Sequence, residues 1–267
     1  MGGLNWVEML SSVLFIAVCA MAGALVLMQR VDTFCRAERP YGLPAGNANL
    51  IGAIVGGLTG LGIALIGIYY YLFAEAGGGW VMWIGRSSYV FVLGASAGHL
   101  VALIHVWLRL DAEERDLSDR SQTAQSGTLT LLRQQGVETL RNSRDGYADL
   151  KARDDEALAT LMGVFGDRLL TGQRALNRIP FYGYLGTVCG ILLMAEHLTR
   201  LDEATETFRV LRDMAGGLVL AFQTTLVALL AYLPLRKAFD ILLNRMAALE
   251  QHWLAMREDA LGGRQSR

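Results

Sequence analysis

Charge is scarce in this chain: Asp, Glu, Lys and Arg make up 18% of its 267 residues and leave a net charge of −1. That balance offers no basic face to nucleic acid. Cysteine is scarce too. Cys19 and Cys189 lie inside apolar runs and Cys35 follows an Arg-rich bend, so neither a disulfide framework nor a CxxC metal site is available. There is no HExxH, no nucleotide-binding loop and no Ser/His/Asp set. These absences predict a protein that is not an enzyme and needs no cofactor or metal. The first apolar run has no basic region before it and no small-residue cleavage site after it, and reads as a retained anchor.

What the chain does have is apolar residues, 53% of the total. Crossing about 30 Å of hydrocarbon takes roughly 20 of them in a row. Five stretches qualify, at about 9–28, 50–74, 88–108, 180–198 and 214–235, the fourth ending near Glu196 and His197. Lys and Arg are sorted between the intervening segments. Three fall in 29–49, eleven in 109–179 and six in 236–267, against none in 1–8, only Arg86 in 75–87 and three in 199–213. Alternating the segments places the N-terminus outside and the C-terminus in the cytoplasm. Trp6, Tyr69, Tyr70, Tyr71, Trp80 and Trp83 then mark the outer interface, and Trp107, Phe181, Tyr182 and Tyr232 the inner one.

The expected architecture is an all-α integral membrane protein with about five transmembrane helices, a cytoplasmic helical domain and a long C-terminal helix extending from the last span. Its parts are three spans over 1–108, a cytoplasmic helical segment over 109–179, a pair of spans over 180–235 and a cytoplasmic helix and tail over 236–267. SQTAQSG (121–127) and NSRDG (142–146) break the 109–179 segment into helices. Its last helix, carrying Leu150, Leu158, Leu161, Phe165 and Leu169, runs toward the fourth span. Leu235, Phe239, Leu242, Met246, Leu249, Trp253 and Met256 step alternately by four and three, a heptad seam on a helix of about 45 residues. The seam packs against the chain's own 109–179 helices, or neighbouring subunits pack there as well. No internal repeat is evident.

No carboxylate stands at mid-span: Glu8, Glu75, Glu196 and Asp213 all lie at or beyond span ends. His99 and His105, six residues apart, face different sides of the third span, where a His bonding a neighbouring helix competes with a proton relay. Uncharged polar residues and glycines remain. Gly183, Gly186 and Gly190 line one side of the fourth span with Thr187 beside them, and Gly216 and Gly217 open the fifth before Gln223, Thr224 and Thr225. Small residues let helices approach closely, and a hydroxyl or amide then bonds across the contact. Each Thr has a plainer option, its own backbone carbonyl four residues back. The amide of Gln223 cannot be satisfied that way and must face protein or water. Gly52, Gly56 and Gly60 on the second span read as packing.

IPFYGYLGTVCGI, followed by a short loop and GGLVLAFQTTLVALLAYLPL, resembles the two signature helices of the MotA/TolQ/ExbB proton-channel family. That family pairs a P-x-x-G-x-L-G-T-V-x-G-I helix with an A-L-x-T-T-x-x-G-L-x-x-A-x-P helix. The first is matched by Pro180, Gly183, Leu185, Gly186, Thr187, Val188, Gly190 and Ile191, the second by Gly217, Ala221, Thr224, Thr225, Leu229 and Pro234. The resemblance covers residues 178–262. Leu220 stands where ExbB- and TolQ-like members often carry Glu, Ala228 replaces the usual Gly and Asp240 a common Asn. The three preceding spans exceed those of the named branches, so the chain reads as a divergent member of unassigned branch.

The resemblance implies a homopentamer in a bacterial inner membrane, whose signature helices line a pore around two copies of a single-span ExbD/TolR/MotB-like partner. The partner supplies a membrane Asp that carries the proton, and Thr187, Thr225, Thr224 and Gln223 line the ion path. Gly183, Gly186, Gly190, Gly217 and Pro234 are then packing positions, and the seam from Leu235 to Met256 serves the oligomer. Proton flow at about 2.3 kcal/mol per charge per 100 mV would be converted into motion of the partner. The alternatives are a Na⁺-driven version, a non-conducting oligomeric scaffold, and a self-contained transporter built around His99 and His105.

Overall fold

The structure is a computed structural model that describes residues 6–44, 46–72, 79–118, 128–142, 147–198 and 207–265. Its α-helices are α1 (Trp6–Glu38), α2 (Ala48–Leu72), α3 (Trp80–Ser118), α4 (Leu129–Asn142), α5 (Tyr147–Leu176), α6 (Arg178–Leu198) and α7 (Thr207–Gln265). No strand occurs among the described residues. Five helical stretches are long and apolar enough to cross a membrane, drawn from α1, α2, α3, α5 with α6, and α7. The protein is an all-α membrane protein.

The helices outrun the spans read from hydropathy. α1 continues through residues expected in a 29–49 loop and stops at Glu38. Pro40 there enters a short 3₁₀ turn over Arg39–Tyr41, closed by Gly42 at φ 70° with its N–H on the carbonyl of Arg39. α3 begins at Trp80 rather than at 88, which puts Arg86 inside a helix instead of in a loop. Within it Gly85 allows a close helix contact: a Cβ there would come within 2.9 Å of Leu220 and 3.1 Å of Cys189. α7 begins at Thr207 and runs for 59 residues, about 88 Å at 1.5 Å per residue, where about 45 were expected. Its opening TFRVLRD lowers hydropathy but contains no helix breaker, so the helix starts ahead of the span.

Residues 121–127, residues 143–146 of NSRDG, Glu75 and the 199–206 segment lie outside the described residues, as do the side chains of Glu8, Tyr71, His197 and Asp213.

Two compact units are built from discontinuous stretches. One comprises Met1–Met28, Leu50–Val101 and Arg174–Lys237. The other comprises Gln29–Asn49, Ala102–Gln173 and Ala238–Arg267. In the first unit glycines set the helix contacts. A Cβ at Gly56 would meet Ala24 Cα at 2.8 Å, and one at Gly60 would meet Ala20 Cα at 2.9 Å, so α1 and α2 approach closely at two of the three α2 glycines read as packing.

The second unit is held by buried charge. Glu38, fully buried, accepts from Arg109 Nε at 3.0 Å and Nη2 at 2.7 Å, from Arg168, and bonds His105 Nε2 at 2.7 Å. Arg109 and Arg168 also donate to the carbonyls of Pro44 and Phe34. His105 is thus a helix-bonding histidine. Glu113, also buried, accepts the Leu129 and Thr130 N–H groups at 2.8 Å each and the Thr130 hydroxyl at 2.7 Å. It satisfies donors of the first turn of α4 and opposes the positive end of that helix. Asp154 is buried with Arg133, which also donates to the Trp253 carbonyl, and Arg257 joins them.

The heptad side chains lie largely covered within this single chain. Leu235, Phe239, Leu242, Leu249 and Trp253 are buried, and Met246 and Met256 half-buried. A Cβ at Gly172 would meet the Phe239 ring at 2.8 Å, and one at Gly166 would meet Met246 at 3.6 Å, so α5 fills this part of the seam. Of the two readings of the seam, packing against the chain's own helices is the contact made here.

Candidate functional site at the α6–α7 contact

Pro180 offers no N–H to the carbonyl of Leu176, and the helix breaks there: α5 ends at Leu176, Asn177 turns, and α6 starts at Arg178. Asn177 accepts the Tyr232 hydroxyl of α7 at 3.3 Å. From this point α6 lies against α7 along its glycines. A Cβ at Gly183 would meet Ala228 Cβ at 2.5 Å and Thr225 Cα at 3.3 Å. One at Gly186 would overlap the Thr224 side chain, and one at Gly190 would reach Ala221 at 2.8 Å. Gly217 mirrors the arrangement from α7, where a Cβ would meet Met194 Cγ at 3.0 Å. The Ala228 methyl therefore fits because the facing residue is Gly183, which accounts physically for Ala where a Gly is usual. Leu220 points away from this contact, toward Gly85 of α3.

The close approach brings three of the four polar candidates together. Thr187 and Thr225 are hydrogen-bonded hydroxyl to hydroxyl across the two helices. Thr187 also lies 3.2 Å from the carbonyls of Gly183 and Ala221, Thr225 3.0 Å from that of Ala221, and Thr224 3.0 and 3.1 Å from those of Leu220 and Ala221. The Ala221 carbonyl is thus within reach of three hydroxyl protons. It has two lone pairs, and the helix engages it from the backbone as well, so it cannot hold all three at once. Each hydroxyl has a second acceptor, and its proton can rotate between them. Thr224 is buried against Gly186, while Thr187 and Thr225 are only half-buried.

The Thr187–Thr225 pair lies in an apolar lane. Tyr184, Thr187 and Ile191 share a face of α6, and Leu218, Phe222, Thr225 and Leu229 share a face of α7 by their spacing. Tyr184 is 66% exposed, Ile191 55% and Phe222 68% within the single chain. Neither 179–195 nor 214–235 contains a charged residue. The lane can offer hydroxyls, ring faces and methyls to a facing element, but it holds no proton acceptor of carboxylate strength.

Gln223 is not part of this group. It stands two positions before Thr225, about 160° around the helix, and its Oε1 accepts from Tyr89 of α3 at 3.3 Å. The sequence reading found the residue that needed a partner but not the partner itself, since nothing about Tyr89 marks it. Ala221 was legible as a motif position and as the residue four before Thr225, but not as an acceptor shared by three hydroxyls. Glu38, Arg109 and Arg168 were missed, although His105 and Arg109, four apart on one helix face, hinted at a shared acceptor.

Residues 142–255 match the MotA/TolQ/ExbB proton channel family. The match includes both signature helices, all four polar candidates and the Pro234 that ends the second motif. By fold this is a membrane protein, and over the matched stretch it is similar to a family of channels rather than enzymes. The identification made from the two motif helices holds over that stretch, which starts at the last residue of α4 and leaves α1, α2 and α3 outside it. No curated protein matches the chain, and no solved structure does.

Proposed function

We propose that the protein is the channel subunit of a proton-motive-force-driven membrane motor, a homopentamer enclosing two copies of a single-span partner that carries a membrane Asp. The observation that carries this reading is the half-buried Thr187–Thr225 hydroxyl pair in an otherwise uncharged lane on the two motif helices. A lane that lacks its own proton acceptor needs one from outside, and a partner Asp opposite the pair would provide it. The hydroxyls with alternative acceptors would then reorient as the Asp gains and loses its proton, at little energetic cost. Thr224, closed off under Gly186, holds the helices at the spacing that keeps the pair in place, and Gln223 serves the α3–α7 contact.

The same reading puts the N-terminus outside and the C-terminus in the cytoplasm of a bacterial inner membrane, with force leaving through the partner or the helical second unit. Leu220 bears on the choice between channel and scaffold. The missing Glu faces α3 rather than the lane, so its loss leaves the hydroxyl pair untouched. Native mass spectrometry of the complex drawn gently from its host membrane tests the proposal: five copies with two of a small protein bearing a membrane Asp support it. A monomer or dimer without such a partner refutes it. Replacing Na⁺ by K⁺ without loss of output would exclude the Na⁺-driven version.

A further inference from the structure

The first unit holds a groove unrelated to the hydroxyl pair. It has a volume of about 380 Å³ and is lined by Ile66, Tyr69 and Tyr70 of α2, Tyr89 of α3, and Gln223, Leu226 and Val227 of α7. That volume lies in the range of small-ligand sites. Arg86 precedes Tyr89 by one turn on the same face of α3. Its guanidinium lies 4.7 Å from the centre of the Tyr70 ring and 5.5 Å from that of Trp83. Tyr70 stacks in turn on Tyr89 at 6.3 Å. Among the described residues no carboxylate pairs with Arg86.

Arg86 stands six residues inside a helix that begins at Trp80, on one of the five membrane-crossing stretches. A cation at such a position calls for a counter-anion, and the two aromatic rings fix the guanidinium without neutralising it. Below it the groove is apolar, with the Gln223 amide and the Tyr89 hydroxyl engaged with each other. A ligand that complements both ends carries one negative charge at the level of Arg86 and an unbranched hydrocarbon below it. We infer that this groove binds one anionic phospholipid, its phosphate on Arg86 and an acyl chain along Ile66, Leu226 and Val227. This inference does not depend on ion conduction.

The test is native mass spectrometry of the full-length protein, purified in detergent and offered equal amounts of palmitoyl-oleoyl phosphatidylglycerol and the zwitterionic phosphatidylcholine of the same chains. The wild type should retain phosphatidylglycerol preferentially, by about fivefold, as expected for one Arg facing one lipid charge. Arg86→Gln should bring the two lipids level. Leu226→Trp, at an exposed position, should close the groove and lower retention of both lipids while Arg86 remains. Equal retention of the two lipids by the wild type would overturn the inference, as would unchanged selectivity in Arg86→Gln. So would a Leu226→Trp protein that keeps its lipid but loses a subunit contact, because the groove would then be seated on a second copy.

Discussion

Thr225 and Glu38 are polar groups on largely apolar helices, one in each compact unit, and their surroundings differ in kind. Around Thr225 everything is neutral: a second hydroxyl, backbone carbonyls and glycines that bring α6 and α7 together. Around Glu38 everything polar is a potential cation or a carbonyl held by one, with two guanidiniums and His105 fixed on one fully buried carboxylate. The neutral arrangement gives each hydroxyl alternative acceptors at low cost. The charged arrangement allows no alternatives, because a buried ion that loses its partner is left uncompensated. The hydroxyl contact is thus built for low-cost rearrangement and the Glu38 cluster for fixed geometry.

Substitution should separate the two regions by size of effect. Glu38→Ala, which leaves Arg109 and Arg168 facing each other without the carboxylate, is expected to destabilise the protein by about 3–5 kcal/mol. Thermal aggregation in detergent would show this, and an unchanged melting profile would mean that the cluster does not hold the unit. Gly186→Val places bulk where Thr224 already sits, and overpacking of this kind costs about 1–3 kcal/mol. It should also part the hydroxyl pair, so crosslinking between cysteines placed on α6 and α7 should fall.

Thr224→Val keeps the shape and removes a hydroxyl bonded only to carbonyls of its own helix, so no bond between helices is lost. Its stability should barely change, and a large loss would contradict a packing role. Smallest of all is Arg245→Gln. Its ion pair with Glu114 is half-exposed, so about 0.2–1 kcal/mol is at stake and added salt should remove it.

The five apolar stretches were legible because hydropathy over 20 residues needs no knowledge of neighbours, and so was the glycine face of α6, whose spacing puts Gly183, Gly186 and Gly190 on one side. The true ends of α1, α3 and α7 were not. Charged turns such as TFRVLRD end a hydropathy run without ending a helix. Within the Gln-Thr-Thr triplet, adjacency concealed function: consecutive residues point about 100° apart, so one faces Tyr89, one is sealed under Gly186 and one reaches the lane. Which was which depended on the positions of α3 and α6. Glu38 was illegible for a related reason. FCRAERP reads as a solvated bend, and its burial follows from residues 67 and 130 positions further on.

In the function proposed above, the Thr187–Thr225 pair faces the conducted ion. The most direct test is proton flux into vesicles made from cells expressing the protein with the partner that copurifies with it, comparing the wild type with Thr225→Val and Thr187→Val. Our account predicts that uncoupler-independent flux collapses in both variants while subunit number and partner content stay as in the wild type. Wild-type flux through an intact Thr225→Val complex would contradict it.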